Sequence, residues 1–297
     1  MNAEQTESIS SRRADDGEND DGHAFGGNET WFQAVISTGR LKSISTILDG
    51  IFRSLVDETY FYFDREGIKI SALDPGRVAV TLLHLSKDDF HGRKYNLYRD
   101  RFRVGIRIKD FCKSIKIIPN RVGTIGIKVR DGDLQLIISN RTRTLKSVEI
   151  QGDDDEEKQL INGLENNLQE KIRCSFNMKI DEVLEHAKAA NQLSEQMVIR
   201  ADDTGLTLET PEDGDARDEV KIDLNNMTGM IWNWEHAGGE ARGVYNLKLL
   251  ISFLNGIQRS KLSSKVKFFL GVDVVLKMEV VFDNSRLVYF LAPRIYE

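Results

Sequence analysis

The sequence predicts an α+β protein made of two tandem, similar domains. The first supporting observation is a repeated pattern, since FDREGIKI (63–70) and ADDTGLTL (201–208) place an acidic residue, a glycine and alternating apolar residues in the same order. The second is that predicted helices and strands follow one another in the same order around both segments. The third is an acidic stretch that divides the chain into two halves. The 297 residues of the chain suffice for two domains with a sizeable core.

The repeat is clearest at a predicted tight turn. Asp64 matches Asp202 and Gly67 matches Gly205, both at an offset of 138 residues. An acidic residue followed by glycine is typical of a turn, and the alternation after the glycine predicts a half-buried strand. Amphipathic helices are predicted at 39–56, 108–117, 179–193 and 246–258. Alternating strand pairs follow the second and fourth helices, as IGIKVRDGDLQLII and VKFFLGVDVVLKMEVVF.

Charge is distributed unevenly along the chain. The net charge is −6, yet residues 1–30 carry eight acidic and two basic residues, and residues 151–170 carry seven acidic and one basic residue. The remainder is therefore basic, which is compatible with a nucleic-acid partner. Residues 1–30 have little to bury and are predicted to be a disordered acidic tail. Residues 151–170 are interpreted as an interdomain linker, so the domains are predicted at 31–150 and 171–297.

The predicted helices carry bases on one face. At about 100° per residue, Lys109, Lys113 and Lys116 fall within about 60° of one another, and Phe111 and Ile115 fall on the opposite side. The other bases on predicted helices are Arg40, Lys42, Arg53, Lys179, Lys188, Lys248 and Arg259. Such side chains can contact phosphates without reading sequence. The alternative is a merely solvated face, but matching positions in a repeat favour phosphate contact.

Catalysis has little support in the sequence. The acidic run Asp153–Glu157 could hold a metal for a nuclease, but consecutive carboxylates rarely converge on one ion. The histidines are scattered, and no zinc, phosphate-loop or nucleophile-elbow motif occurs. Cys112 and Cys174 are too few for a disulfide framework and are predicted to be buried thiols. We therefore expect no enzymatic activity, no catalytic residue, no metal site and no cofactor. No secretory signal or membrane helix is predicted either.

Three strings carry a family resemblance. They are SALDPGRVAVTLLHL (71–85), VGIRIKDFCKSIK (104–116), and LGVDVVLKMEVVF followed by LVYFLAPRIYE at the end of the chain. The most specific part is FLAPRI (290–295). From about Trp31 to Glu297 the chain resembles the proliferating cell nuclear antigen (PCNA) family of DNA sliding clamps. It departs from that family in its acidic tail, its long linker, an insertion within 88–103 and an acidic loop within 209–220.

The resemblance implies the DNA-clamp (processivity) fold, with helices lining the interior of a ring and sheets outside. Three subunits would close head to tail into a homotrimer by pairing edge strands, here at about 133–140 and 205–210. The ring would encircle double-stranded DNA independently of sequence and act as a DNA polymerase processivity factor. The side chains implied to face DNA are Arg40, Lys42, Lys109, Lys113, Lys116, Lys188, Lys248 and Arg259.

The resemblance also implies a hydrophobic groove under the linker. It would receive short PCNA-interacting peptides of a DNA polymerase, clamp loader, ligase or nuclease in DNA replication and DNA repair. The implied groove residues are Leu73, Arg77, Val78 and Val80 from the first domain, Leu160, Ile161 and Leu164 from the linker, and Val275, Phe290, Leu291, Ala292 and Pro293 from the second domain. The alternative interpretation is that most of them are core residues.

One other clamp class remains open on the sequence alone. A subunit of a heterotrimeric or DNA-damage checkpoint clamp would share the same repeat, although the FLAPRI tail favours the replicative kind. The expected location is the nucleus for a eukaryotic source or a nuclear-replicating virus, and otherwise the cytoplasm or nucleoid.

Overall fold

The computed structural model describes residues 29–91, 94–150, 154–202, 205–211, 218–223, 231–232 and 240–294. The predicted acidic tail therefore lies outside the described residues, apart from its last two, Glu29 and Thr30. Within the described ranges, no helix is both long and apolar enough to cross a membrane.

Both halves of the chain have the same order of elements, namely a strand, a helix, five strands, a helix and three strands. The first repeat consists of β1 (Thr30–Ser37), α1 (Thr38–Gly50), β2 (Glu58–Asp64), β3 (Gly67–Leu73), β4 (Ala79–Ser86), β5 (Tyr95–Leu97), β6 (Phe102–Arg107), α2 (Ile108–Lys116), β7 (Thr124–Arg130), β8 (Asp133–Ile138) and β9 (Arg141–Leu145). A connecting helix, α3 (Asp154–Lys171), follows. The second repeat consists of β10 (Ile172–Lys179), α4 (Ile180–Ala190), β11 (Gln196–Ala201), β12 (Gly205–Glu209), β13 (Glu219–Asp223), β14 (Ile231–Trp232), β15 (Ala241–Asn246), α5 (Leu247–Ser260), β16 (Lys265–Gly271), β17 (Leu276–Phe282) and β18 (Ser285–Leu291).

The four predicted amphipathic helices are confirmed as α1, α2, α4 and α5, with ends that differ by a few residues. Helix α1 starts where the side chain of Ser37 accepts a hydrogen bond from the backbone N–H of Arg40 (3.2 Å). Helix α5 starts in the same way at Asn246 and ends at Lys261, which has the left-handed conformation common after helices. Most of the segment predicted as a linker, residues 151–170, lies within α3, a helix that was not expected.

The repeated turn is confirmed as the β2–β3 and β11–β12 hairpins. Oδ1 of Asp64 accepts from the N–H of Gly67 (3.1 Å), and Oδ1 of Asp202 accepts from that of Gly205 (3.2 Å). At Gly67, where φ is +152°, a Cβ atom would lie 2.0 Å from the backbone oxygen of Leu85. The glycine is therefore required both by the backbone conformation and by the close approach of β4.

Each repeat contributes a five-stranded and a four-stranded half-sheet. The first repeat forms the orders β5-β1-β7-β8-β9 and β4-β3-β2-β6, and the second repeat forms β14-β10-β16-β17-β18 and β13-β12-β11-β15. Because β18 pairs antiparallel with β4, two of these half-sheets merge into one nine-stranded sheet that crosses from one repeat to the other.

Among the described residues, six strands lie at the ends of the sheets and have a single neighbouring strand, namely β5, β6, β9, β13, β14 and β15. Of these, β9 and β13 occupy the positions that β18 and β4 occupy in the opposite repeats, and we call these two the open edges. The edges expected at 133–140 and 205–210 are therefore wrong. Those segments are β8 and β12, and each is covered by one further strand. The strand β9 was missed because RTRTL has no apolar alternation that would mark it as a strand.

The four helices within the repeats, α1, α2, α4 and α5, form a single layer against the sheets. Helix α1 packs against both α2 and α5, and α5 packs against α4, so the order across the layer is α2-α1-α5-α4. The two repeats approach closely where α1 meets α5, since a Cβ atom at Gly50 would lie 3.1 Å from Cα of Gly256. The main core lies between this layer and the sheets.

Candidate nucleic-acid interface and partner groove

Helix α2 turns three lysines away from the core. Phe111 and Ile115 are buried against the sheet, whereas Lys109, Lys113 and Lys116 are exposed. Two of the lysines lie in the last turn of the helix, where the helix dipole favours positive charge. The predicted division of α2 into an apolar and a basic face is therefore confirmed, and the basic face lies on the side of the helix layer away from the sheets.

The second repeat adds further bases to the same side. Lys248 and Arg259 on α5 and Lys188 on α4 are exposed, while the apolar faces of both helices are buried. Helix α4 is mixed in charge, because it carries Asp181 and other exposed acidic residues beside Lys188. Asp181 accepts a hydrogen bond from the side-chain amide of Gln258 on α5 (2.7 Å). The strongest positive charge on the helix layer thus comes from α2 and α5.

Two further bases predicted on helix faces form ion pairs with neighbouring residues. Arg53 pairs with Asp49 (2.8 Å) and Lys179 pairs with Glu182 (2.7 Å). Both pairs are largely exposed, so each contributes little to stability. Lys42 is half-buried, and its ammonium group donates to the side-chain oxygen of Asn120.

Arg40 contradicts the expected contact with DNA. Its side chain is 11% exposed, and its guanidinium group forms ion pairs with Asp89 (2.9 Å) and Asp283 (3.2 Å). It also donates to the backbone oxygen of Phe282 (3.3 Å) and lies over the ring of that residue. Asp89 follows β4 in the first repeat, whereas Phe282 and Asp283 lie at the β17–β18 turn of the second. Arg40 is therefore committed to a polar contact between the repeats.

Asp89 lies at the centre of that contact. Its carboxylate accepts hydrogen bonds from the backbone N–H (3.1 Å) and side-chain amide (2.9 Å) of Asn284, from the hydroxyl of Ser285 and from Arg40. Burial alone would raise the pKa of this carboxyl group. The hydrogen bonds from Ser285 and Asn284 and the charge of Arg40 outweigh the effect of burial, so the pKa of Asp89 lies below its ordinary value. Asp89 is consequently ionised at neutral pH.

Most of the predicted groove residues lie on the side of the sheet opposite the helix layer formed by α1, α2, α4 and α5. A group of apolar residues, which we call the outer cluster, has Val80, Leu168, Val288 and Phe290 as its buried members. Packed against them are the partly buried residues Leu73, Leu82, Leu160, Ile161, Leu164, Ile172, Val274 and Val275. The structure thus brings together most of the predicted groove residues from both domains and the linker. Sequence reasoning missed Leu82 and Val288, although their alternation along β4 and β18 marks the same face.

The remaining predicted groove residues lie beside the start of β4, apart from Leu291, which lies in the main core. Val78 is 37% exposed, and its backbone oxygen accepts from the N–H of Ala292 (2.8 Å), which fixes the segment after β18 beside the start of β4. Arg77 is exposed and Pro293 is half-buried in the same region. Leu291 contradicts the prediction, because it is fully buried in the main core. Successive strand residues point to opposite faces, so Phe290 and Leu291 cannot both line the groove.

Helix α3 covers the outer cluster. Leu160, Ile161, Leu164 and Leu168 recur at helical spacing and pack on the outer faces of β4 and β18. The apolar stripe of α3 therefore rests on the surface to which a partner peptide was expected to bind.

The comparisons with known proteins agree with this architecture. Residues 34–151 match the family described as proliferating cell nuclear antigen, N-terminal domain. The DNA polymerase sliding clamp of Archaeoglobus fulgidus is 27% identical over 272 residues, which span 88% of this chain and 98% of that protein. The chain is thus similar to DNA polymerase sliding clamps over most of its length, and its first repeat matches the N-terminal domain of PCNA. The DNA polymerase sliding clamp of Thermococcus onnurineus is 26% identical over 248 residues, which span 82% of this chain and 91% of that protein.

Solved PCNA structures share the fold. A. fulgidus PCNA bound to the C-terminal region of FEN-1 superposes with a TM-score of 0.67 at 19% identity, covering 90% of this chain and 99% of that one. Entamoeba histolytica PCNA superposes with a TM-score of 0.68 at 19% identity, covering 90% of this chain and 100% of that one. The predicted α+β clamp fold with two tandem domains is thereby confirmed.

Two kinds of chemical group bear on catalysis, namely clusters of metal ligands and reactive thiols. Within the described ranges, no group of three histidine, cysteine, aspartate or glutamate side chains could hold a metal ion. The acidic run proposed for a nuclease, Asp153–Glu157, has its side chains outside the described residues. Burial raises the pKa of Cys112 to about 11 and of Cys174 to about 12, so neither is a thiolate nucleophile at neutral pH.

Proposed function

We propose that this chain is the subunit of a ring-shaped DNA sliding clamp, a polymerase processivity factor that itself catalyses nothing. The observation that carries the proposal is the relation between the paired and the open strands. Within the chain, β18 of the second repeat pairs with β4 of the first. The equivalents of these strands in the opposite repeats are β9 and β13, which are the two open edges. A second copy can therefore pair its β13 with β9 in the way that β4 pairs with β18.

Such pairing is head to tail, and it uses a different edge on each subunit. A heterologous contact of this kind produces a ring if the rotation closes. The PCNA resemblance sets the number at three subunits, so six similar repeats would surround the central hole. Pairing would also cover β9 and β13, whose unpaired edges otherwise invite aggregation.

The inner surface of the proposed ring is the helix layer. Its exposed bases, chiefly those of α2 and α5, would contact phosphates without reading sequence. These contacts are weak at physiological salt because exposed charges are screened. The closed ring, rather than affinity, would keep the clamp on DNA, and tethering a polymerase to it would make rebinding intramolecular.

Partner proteins would dock on the outer cluster and the C-terminal segment beside it. The A. fulgidus structure, in which PCNA is bound to the C-terminal region of FEN-1, supports short partner segments as the ligands. The polymerase, clamp loader, ligase and nuclease expected from sequence are proposed to share this surface. Because α3 rests on it, a peptide must either dock beside α3 or displace the helix.

Two measurements test the ring. Light scattering at micromolar concentration should give the mass of three chains. After loading by a clamp loader, the protein should stay on a circular plasmid and leave when the plasmid is cut, because only topology holds it. Equal retention on circular and linear DNA would contradict the proposal.

Two lysines at equivalent positions test the DNA face. Lys109 and Lys248 are both exposed and each is the second residue of its helix, in α2 and α5 respectively. Replacing both with glutamate should reduce processive synthesis while leaving the mass of the ring unchanged. Unchanged processivity at moderate salt would refute their contact with DNA.

A second candidate is a subunit of a heterotrimeric clamp. A PCNA2–PCNA3 complex from Sulfolobus tokodaii shares the fold with a TM-score of 0.69 at 16% identity, so clamps of mixed composition occur among proteins of this shape. The light-scattering measurement separates the two, since a chain that requires different partner chains would be monomeric alone. The homotrimer is preferred because β9 and β13 of a single chain repeat the pairing of β18 and β4. The proposed location of the clamp is the compartment in which DNA is replicated, which is the nucleus in a eukaryotic source and otherwise the cytoplasm or nucleoid.

A further inference from the structure

The contact between the two repeats has two parts that can serve as a template. In the sheet, Tyr289 of β18 lies opposite Thr81 of β4. In the helix layer, α1 meets α5 where a Cβ atom at Gly256 would lie 2.4 Å from Cγ1 of Ile51, a fully buried residue. We call the whole contact the internal junction. If a second copy joins the chain at the open edges, the equivalent residues must meet in the same arrangement.

The strand register identifies the residue equivalent to Thr81. Gly67 pairs with Ser86 in the first repeat, and Gly205 pairs with Asp223 in the second. Thr81 lies five residues before Ser86, and the residue five before Asp223 is Asp218. Asp218 therefore lies just before β13, where its side chain is half-buried.

The register also identifies the residue equivalent to Tyr289. The strands β1 and β10 each end directly before a helix, which aligns Ala34 with Phe176. From there the pairings lead across the sheet from Ala34 through Ile127 and Leu136 to Arg143. In the second repeat they lead from Phe176 through Phe268 and Met278 to Tyr289. Arg143 of β9 thus takes the place of Tyr289.

Both residues point towards the helix side of the sheet. Tyr289 stacks near Phe253 of α5, and correspondingly the guanidinium group of Arg143 donates to the backbone oxygen of Ser114 in α2 (3.0 Å). A guanidinium group has five N–H donors, so others are left for a carboxylate. Across the open edges, Arg143 of one copy would lie directly opposite Asp218 of the next.

The helix layer supplies a second, apolar pair. Aligning the first residues of α1 and α4 makes Leu193 the equivalent of Ile51, and aligning those of α5 and α2 makes Ile117 the equivalent of Gly256. Leu193 is 46% exposed and Ile117 is 62% exposed, although their counterparts at the internal junction are buried. Large apolar side chains left exposed at such positions indicate a missing neighbour.

We infer that a second copy of this chain binds with Arg143 opposite Asp218 and with Ile117 packed on Leu193. This inference rests on the proposed ring and specifies its seam. Where the internal junction places a glycine against an isoleucine, the seam places two large side chains against each other. The helices α2 and α4 must therefore lie farther apart across the seam than α1 and α5 do within the chain.

A charge swap tests the polar half of the seam. The full-length variants Arg143→Asp and Asp218→Arg should each weaken assembly at least about tenfold, measured as the concentration at which the trimer dissociates in light scattering. The double swap should recover most of the loss, because the charges are again complementary. The matched control is Arg65→Asp, which reverses an exposed arginine outside the seam and should leave assembly unchanged.

A second substitution tests the apolar half. Ile117→Asp should weaken assembly, whereas Val281→Asp should not, since Val281 is equally exposed at 63% but lies on β17 away from the seam. Circular dichroism verifies that each variant is folded. If the wild-type protein is a trimer and neither Asp218→Arg nor Ile117→Asp weakens its assembly, the inferred seam is overturned but the proposed ring is not. A wild-type protein that is monomeric at every concentration would overturn the proposed homotrimer itself.

Discussion

An alanine at position 256 adds one methyl group to α5 where that helix crosses α1. The new Cβ atom would lie 2.4 Å from Cγ1 and 2.9 Å from Cδ1 of Ile51, which is fully buried and has little room to move. Exchanging glycine for alanine in a helix stabilises it by about 1 kcal/mol. Overpacking a core of this kind costs about 1–3 kcal/mol. The steric cost is the larger of the two, so we expect Gly256→Ala to lower the free energy of unfolding by up to about 2 kcal/mol.

The partner substitution makes the reasoning refutable. Ile51→Ala alone should cost about 2–5 kcal/mol because it leaves a cavity. In the double variant the new methyl group enters part of that cavity. The loss of unfolding free energy in the double variant should therefore be smaller than the sum of the two single losses by about 1–3 kcal/mol. Urea unfolding at constant slope measures each difference. The control is Gly39→Ala on α1, where nothing lies within 4 Å and the change should be neutral or stabilising. If the unfolding free-energy changes of the two single variants add up to that of the double variant, or if Gly256→Ala is more stable than wild type, the Ile51 side chain moves aside without cost and the steric argument is refuted.

Three further outcomes are expected. Asp89→Asn removes the buried charged partner of Arg40 and leaves it only the exposed Asp283, so it should destabilise the protein by about 3–5 kcal/mol in urea unfolding at pH 7. The pKa of Asp89 is lowered on folding, so the ionised carboxylate contributes fully to the free energy of unfolding above its unfolded pKa of about 4. That contribution is lost as the pH falls through the lower folded pKa, so the difference in unfolding free energy between wild type and Asp89→Asn should become smaller in acid. Leu164→Asp should loosen α3 and raise the affinity of a PCNA-interacting peptide in calorimetry, whereas weaker binding would make α3 part of the receptor. Arg259→Glu should reduce processive synthesis with an unchanged trimer mass, and a changed mass would contradict its assignment to the DNA face.

Much of the fold can be predicted from sequence because the repeat leaves a local signal. The acidic residue and glycine at Asp64 and Gly67 recur at Asp202 and Gly205, where they make the same hydrogen bond. The amphipathic period of α2 and α5 likewise depends only on nearby residues. Both signals survive without knowledge of what each element packs against.

What could not be predicted depends on contacts that are distant in the chain. Arg40 appears in sequence as one more base on a helix, and only the folded chain brings Asp89 and Asp283 to it. The strand β9 was missed because its cover is proposed to come from another molecule, so it needs no apolar pattern of its own. Helix α3 was missed although a signal was available, since Leu160, Ile161, Leu164 and Leu168 recur at helical spacing beneath an acidic composition.

Helix α2 must serve two neighbours, and this decides which lysines report on DNA binding. Lys113 is equivalent to Ser252 of α5, whose hydroxyl donates to the backbone oxygen of Gly50 at the end of α1 (3.2 Å). It lies only about 40° around the helix from Ile117, whereas Lys109 lies about 80° and Lys116 about 100° from that residue. Reversing the charge of Lys113 would therefore disturb the seam as well as the DNA face. Loss of processivity is evidence for a phosphate contact only when it follows from a residue on the far flank, such as Lys109, and when the trimer persists.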